Sequence, residues 1–461
     1  MRQLRMDSFS NLALGAPLMQ GLQALDYTRM TPIQAASLPL ILQGSDVIAQ
    51  AKTGSGKTAA FGLGLLSRLD PAASRVQALV LCPTRELADQ VSKELRRLAR
   101  FIANVKVLTL CGGISLRPQI ASLVHEPHVV VGTPGRILEL LDKEHLKLDA
   151  VKVLVLDEAD RMLDMGFADA IADVIAQTPA NRQTLLFSAT YSSEIRAISK
   201  RVQREPQEVT VESLLGSDEI EQMFYEVEPQ RKADALALLL SQHRPESALV
   251  FCNTKRDTQE VAGGLEARGF SVLALNGDLE QRDRDEVLVR FANKSCSVLV
   301  ATDVAARGLD IKELPLVVSY ELPGDAEIHV HRIGRTARAG HKGLALNLCA
   351  SREIGRVPAI EVAQGAPAQW GRLNLALADK ALPLEPGMVT LIIDGGRQDK
   401  LRPGDIMGAL TGDAGLPADA VGKIDTFATR TYVAIKRPLA QKALEKLRSG
   451  KIKGRSFRVR K

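Results

Sequence analysis

The apolar positions fall into short blocks with loops of small and polar residues between them. Val151–Leu156 is such a block, and it runs straight into Asp157, Glu158 and Asp160. A block this short and this apolar predicts a strand buried on both faces, as in a parallel sheet. Ala78–Cys82, Val105–Leu110, His128–Val131 and Gln183–Phe187 read the same way, each ending in a polar or glycine-rich loop. Helical patterns separate them, beginning with Gln34–Leu42 behind Pro32. Alternation of this kind predicts a doubly wound α/β domain. The pattern loosens over Glu205–Ser217, which reads as a linker, and a second series follows: Ala248–Cys252, Val272–Leu275, Val298–Thr302 and Val317–Tyr320. A third pattern closes the chain. Strands at Val389–Asp394, Val421–Asp425, Thr431–Ile435 and Ser456–Arg460 alternate with helices opening at Arg402 and at Leu439. The order βαββαβ fits a ferredoxin-like or RNA-recognition sandwich.

At 461 residues several domains are expected, and 45% apolar residues suffice for their cores. The division expected is 1–208, 218–356, a connector 357–382, and 383–461. Aromatics make up only 4% of the chain, so those cores should be aliphatic. The first residues lack the apolar stretch of a secretory signal, and no apolar run is long enough to span a bilayer. Cys82, Cys111, Cys252, Cys296 and Cys349 are scattered without paired spacing. They read as reduced core thiols of a cytoplasmic protein. Net charge is +6, but residues 383–461 hold 16 Lys and Arg against 8 Asp and Glu, a net of +8. The rest of the chain is therefore close to neutral, and the last segment expects a polyanionic partner.

Candidate chemistry begins with Ala51-Lys52-Thr53-Gly54-Ser55-Gly56-Lys57-Thr58, set between a short strand and an apolar helix. Backbone N–H groups of such a loop, aided by the helix dipole, cradle phosphate. Lys57 would reach the β/γ-phosphates and Thr58 would ligate Mg²⁺. A strand ending in Asp157-Glu158 about a hundred residues later completes the two-part arrangement of P-loop NTPases.

Together with PTREL, Gly112-Gly113, TPGR, Asp157-Glu-Ala-Asp160 and Ser188-Ala-Thr190, in that order, this loop makes the chain resemble the DEAD-box RNA helicases. Phe9 and Gln34 match that family's upstream aromatic and its adenine-reading glutamine, whereas Asp26 and Met30 stand where Gly and Pro are usual. In the second half, ATDVAARGLD and HRIGRTAR match as well, with Ala337 for the usual Gly and Asn276 for the usual His. The last 79 residues resemble the C-terminal domain of the DbpA subgroup, in IDGG, RPGDIMGALTGD and KIKGRSFRVR.

The resemblance implies that Tyr27 and Gln34 select adenine, residues 51–58 hold the phosphates, and Asp310 contacts the ribose. Asp157 orients the metal, Glu158 handles the attacking water, and Arg335 and Arg338 supply charge from the second domain. Asp160 and His331, with Ser188 and Thr190, couple hydrolysis to domain closure. It implies RNA contacts at Arg85, Gly113, Thr133, Arg136, Thr254, Gly277 and Thr302. Contacts at Lys400, Arg402, Lys423 and Arg430 of the basic segment are expected by charge. The subgroup's RNA is a hairpin of 23S ribosomal RNA in large-subunit assembly, and a monomer is expected. A general RNA helicase or an ATP-gated RNA clamp is the alternative.

Overall fold

The computed structural model describes residues 8–51, 55–191, 193–211, 220–306, 314–336, 343–413 and 415–461. Two units separate, one within residues 8–211 and the other within residues 220–461.

In the first unit, strands β1 (Val47–Gln50), β2 (Ala78–Leu81), β3 (Val107–Leu110), β4 (Val129–Gly132), β5 (Val153–Asp157), β6 (Gln183–Ser188) and β7 (Gln207–Thr210) form one sheet. Their order is β3-β4-β2-β5-β6-β1-β7, with every pairing parallel. Alternate residues serve opposite faces, as the strand period of two requires. Val153 and Val155 join Phe61, Leu63 and Leu185 in one core, while Leu154 and Leu156 join Leu79, Ile137 and Leu186 in the other. Each such side chain contributes about 1.5–3 kcal/mol by leaving water. The helix Lys57–Ser67 lies close to its neighbours because Gly64 has no side chain: a Cβ there would stand 2.2 Å from Ile41 Cγ2. β7 occupies part of the expected linker Glu205–Ser217, and residues 212–217 of that stretch lie outside the described residues. The four residues of β7 pair with β1, and Arg204 N and Thr184 N both donate to Asp46 to close that edge. The polar sequence QEVT is what an exposed edge strand needs and what hides it from a hydrophobicity pattern.

The second unit holds a parallel sheet of β8 (Ile220–Glu226), β9 (Ala248–Cys252), β10 (Val272–Leu275), β11 (Val298–Thr302), β12 (Leu316–Ser319), β13 (Gly343–Cys349) and β14 (Trp370–Gly371). The order is β10-β11-β9-β12-β13-β8-β14. β14 sits inside the expected connector, so that segment packs onto this sheet: Phe224 N donates to Gln369 O, and the Trp370 and Phe224 rings lie 5.7 Å apart.

Strands β15 (Met388–Ile393), β16 (Val421–Thr426), β17 (Thr431–Lys436) and β18 (Val459–Arg460) form an antiparallel sheet ordered β16-β17-β15-β18. With helices Pro403–Gly408 and Ala440–Ser449 this is the expected βαββαβ sandwich. One face packs Leu391, Ile393, Val433 and Ile435 against Leu444 and Leu447. The other face turns to the helix Gln281–Ala292 of the parallel-sheet domain, where Ile392 and Tyr432 meet Val289. Thr390 Oγ1 there lies 2.8 Å from Asn293 Nδ2 and 2.6 Å from Ser295 Oγ, all three residues buried. Among the described residues no helix is long and apolar enough to cross a membrane, and all five cysteines are buried and unpaired.

Candidate active site and RNA interface

The carboxyl ends of the first sheet's strands carry most of the singled-out residues, where open α/β sheets place ligands. Gly56 takes a left-handed backbone, φ 96°, to open the helix Lys57–Ser67. Substitution there is also blocked sterically, because a Cβ would lie 2.5 Å from Gln34 Nε2. The Gln34 amide uses both ends. Its Oε1 accepts from Thr31 N at 2.9 Å, and its Nε2 donates to Gly56 O at 3.0 Å. The expected base-reading residue is thus fastened to the phosphate loop. Asp26 adopts φ 56°, the left-handed conformation that a glycine would take without strain, and Met30 is buried in the core. Tyr27 donates from its hydroxyl to Glu94 Oε1 at 2.7 Å; burial, then that bond, push its pKa up to about 12. Lys57 is buried and donates to Ala51 O at 2.8 Å. Thr58 is the next residue of that helix, and Ser55 precedes it in the loop. Lys52, Thr53 and Gly54 lie outside the described residues, as do Asp310 and Arg338.

Asp157 ends β5 and is 2% exposed. Burial pushes its carboxyl up to about 7, opposed by Lys57 and reinforced by the charges of Glu158 and Asp160. Its Oδ1 is buried with no hydrogen-bond partner. A buried carboxylate oxygen beside an ammonium, with one lone-pair set unused, suits a hard divalent cation. Mg²⁺ fits these donors. Glu158 is left-handed, φ 53°, which turns the chain sharply from β5 into the helix Ala159–Asp164; Arg161 Nη1 lies 3.4 Å from its carboxylate. Asp160 Oδ1 accepts from Arg161 N, and its Oδ2 accepts from Ala189 N at 3.0 Å and Thr190 N at 3.1 Å. The acidic strand end and the Ser188–Thr190 turn are therefore one bonded unit, with Ser188 Oγ also accepting from Thr190 N.

Further along the same edge, Gly113, φ 75°, Thr133 and Arg136 converge. Thr133 Oγ1 accepts from Gly112 N at 3.3 Å, and Arg136 Nη2 donates to Ile114 O at 3.0 Å. Arg85 opens the helix Arg85–Leu98 that Thr84 caps.

In the second unit Thr254 caps the helix Lys255–Ala267, Gly277 lies against Lys255, and Thr302 Oγ1 accepts from Ala305 N. Asn276 closes a turn by accepting from Asp278 N at 3.0 Å, so it keeps a polar role in its exchange for His. His331 and Arg332 occupy the last turn of the helix Ala326–Ile333, and Arg335, 6% exposed, follows it. Arg332 is fully buried and bonded to Asp303, Asn253 and the Glu321 carbonyl.

In the C-terminal domain the four basic residues separate. Lys400 and Arg402 lie in a loop that meets the loop at 451–457: Lys453 Nζ donates to Lys400 O, and Arg455 Nη1 donates to Asp399 O while covering the Phe457 ring at 5.4 Å. Lys453 and Arg455 were not singled out from the sequence, although their charge run was visible, because their adjacency to Lys400 exists only in the fold. Lys423 pairs with Asp425, and Arg430 lies 3.4 Å from Asp394 and 3.7 Å from Glu286.

Residues 31–198 match the DEAD/DEAH box helicase family, 231–340 the helicase conserved C-terminal domain and 390–461 the DbpA RNA binding domain. The chain is 56% identical over 458 residues to ATP-dependent RNA helicase DbpA of Escherichia coli (strain K12), covering 99% of each. It is 43% identical over 378 residues to DEAD-box ATP-dependent RNA helicase CshA of Bacillus cereus (strain ATCC 10987 / NRS 248), covering 82% of this chain and 71% of that one. Among solved structures, S. cerevisiae Dbp5 bound to RNA and ADP BeF3 superposes with a TM-score of 0.73 at 32% identity, over 81% of this chain and 97% of that one. The phosphate loop, the bonded Asp160–Thr190 turn, the second parallel sheet and the basic sandwich thus accompany likeness over nearly the whole length, and the chain belongs to the DEAD-box ATP-dependent RNA helicases of the DbpA type.

Proposed function

We propose that this helicase hydrolyses Mg²⁺-bound ATP to separate short duplexes in 23S ribosomal RNA during assembly of the large subunit, acting as a cytoplasmic monomer. The observation that carries the chemistry is Asp157, buried at the end of β5 with an unpartnered carboxylate oxygen and an electrostatic tie to Lys57. When bound, Mg²⁺ neutralises phosphate charge and polarises the γ-phosphoryl group. Asp157 and Thr58 would hold it. Lys57 leaves the Ala51 carbonyl for the phosphates, Glu158 orients or deprotonates the attacking water, and Arg335 and Arg338 stabilise the charge that spreads over the γ-phosphate. Gln34 and Tyr27 select the base, and Asp310 the ribose. Arg85, Gly113, Thr133, Arg136, Thr254, Gly277 and Thr302 take the sugar–phosphate backbone, which positions RNA without reading its sequence.

Selectivity falls to the basic sandwich. With Ile392 and Tyr432 packed on Val289, its sheet face is not available for stacking bases, so the loops carrying Lys400, Arg402, Lys453 and Arg455 supply the RNA contacts. ATP turnover on a 23S rRNA fragment containing the hairpin, on poly-A and without RNA tests this. The expected order is rRNA well above poly-A, and poly-A above none. Equal rates on the three would remove the rRNA assignment, and normal turnover by Glu158→Gln would remove Glu158 from the chemistry.

A further inference from the structure

β3 ends at Leu110, whose carbonyl accepts from Thr133 N. The chain then leaves the sheet, yet Cys111 is still buried, 1% exposed. Its peptide groups need partners there, because a buried N–H or C=O without one is strongly unfavourable. The side chain of Gln119 provides both. Gln119 lies in the helix Leu116–Leu123 and is 5% exposed. Its Oε1 accepts from Cys111 N at 3.0 Å, and its Nε2 donates to Cys111 O at 3.1 Å and to Ser115 O at 3.3 Å. One amide thus imitates a neighbouring strand for Cys111 and ties it to Ser115, across the loop that carries Gly112, Gly113 and Ile114. Thr133 and Arg136 grip the same loop from the other side, at Gly112 N and Ile114 O. Ile114 is 40% exposed between these anchors.

We propose that Gln119 is a positioning residue for RNA-stimulated ATP turnover. Buried behind the loop, it fixes the shape in which residues 112–115 meet RNA. The chemistry demands glutamine: Glu would set a carboxylate oxygen against Cys111 O, and Met would fill the space while bonding neither group. This rests on the reading that the Gly113 loop contacts RNA, so the test separates the two.

In the full-length chain, ATP turnover is titrated with poly-A RNA for wild type and Gln119→Met, and hydrogen exchange is followed at residues 112–115. Separately, Ile114 is replaced by p-benzoylphenylalanine and irradiated with the same RNA. The expected result is a half-saturating RNA concentration raised roughly tenfold, the equivalent of one or two hydrogen bonds, with kcat at saturating RNA nearly unchanged. Faster exchange in the loop and crosslinking at position 114 accompany it. Crosslinking with an unaltered half-saturating concentration overturns the role of Gln119, as does a fall in kcat alone, the mark of a merely structural residue. Absence of crosslinking takes the loop off the RNA path and overturns the underlying reading instead. Should Gln119→Met fail to fold, Gln119→Glu carries the same comparison, since it keeps the shape and the acceptor.

Discussion

Arg332 and Asp303 form a two-point ion pair, Nε to Oδ1 at 2.8 Å and Nη2 to Oδ2 at 2.7 Å. The same guanidinium reaches Asn253 and the Glu321 carbonyl, so one side chain ties together the chain segments that follow β9, β11 and β12. Only a planar fork spans those acceptors. Arg332→Met leaves Asp303 facing a lost partner, and the expected cost is about 3–5 kcal/mol of unfolding free energy, read from urea denaturation. Arg332→Lys should recover little of it. A lysine variant with the wild-type midpoint would mean that the fork geometry is unimportant.

Asp160 bonds the acidic strand end to the Ser188–Thr190 turn through two backbone N–H groups. Asp160→Asn supplies one acceptor oxygen where the carboxylate supplies two, so either that turn or Arg161 N loses its bond. The expected penalty is about 1–3 kcal/mol, confined to this corner. Strand displacement should fall more than phosphate release, because ATP groups remain while the turn shifts. Equal losses in the two assays would argue against a coupling role.

His329 is fully buried, and burial, then the nearby Arg332 charge, depress its pKa from 6.5 to about 4. Its Nε2 meets the Gln222 amide nitrogen at 2.7 Å, so it accepts there as the neutral ring. The unfolded chain binds a proton near pH 6.5 and the folded chain only near pH 4. Stability from this group is therefore intact above pH 6.5 and falls as pH drops from there to about 4, by a total of about 3 kcal/mol. Urea midpoints at pH 7 and pH 5 for wild type and His329→Gln check this: the variant should lose less over that interval.

Thr390, Asn293 and Ser295 form a buried polar knot between the basic sandwich and the helix Gln281–Ala292. Thr390→Val keeps the volume and strands the two polar partners, for a loss of about 1–3 kcal/mol. Amide exchange over residues 286–295 should accelerate. Unchanged exchange there would mean that the knot does not hold this contact in solution.

The sheets, and the turn at Gly56 that opens the helix Lys57–Ser67, were legible because each rests on short-range chemistry. Val153–Leu156 is apolar on both faces, and the Gly56-Lys57-Thr58 turn needs those residue types at that spacing. What escaped was polar or distant. QEVT of β7 is hydrophilic because it closes an edge. Trp370 pairs with a strand nearly 150 residues earlier, and no local pattern encodes that. β13, by contrast, is apolar enough to be read from its residues, LALNLC. Among the basic residues, charge pointed to the domain, but only the fold distinguishes Lys400, beside Lys453, from Arg430, held between Asp394 and Glu286.

The double attachment of the Gln34 amide carries one more implication. If that amide reads the base, then a base with an acceptor where adenine carries its 6-amino donor would require it to turn over, presenting oxygen to the Gly56 carbonyl and nitrogen to the Thr31 amide. Both internal bonds would become repulsive at once, and the phosphate loop would lose a support. Guanine nucleotides would then be rejected in the turnover number as well as in affinity: a poorly matched base would leave the enzyme holding its triphosphate in a slackened grip.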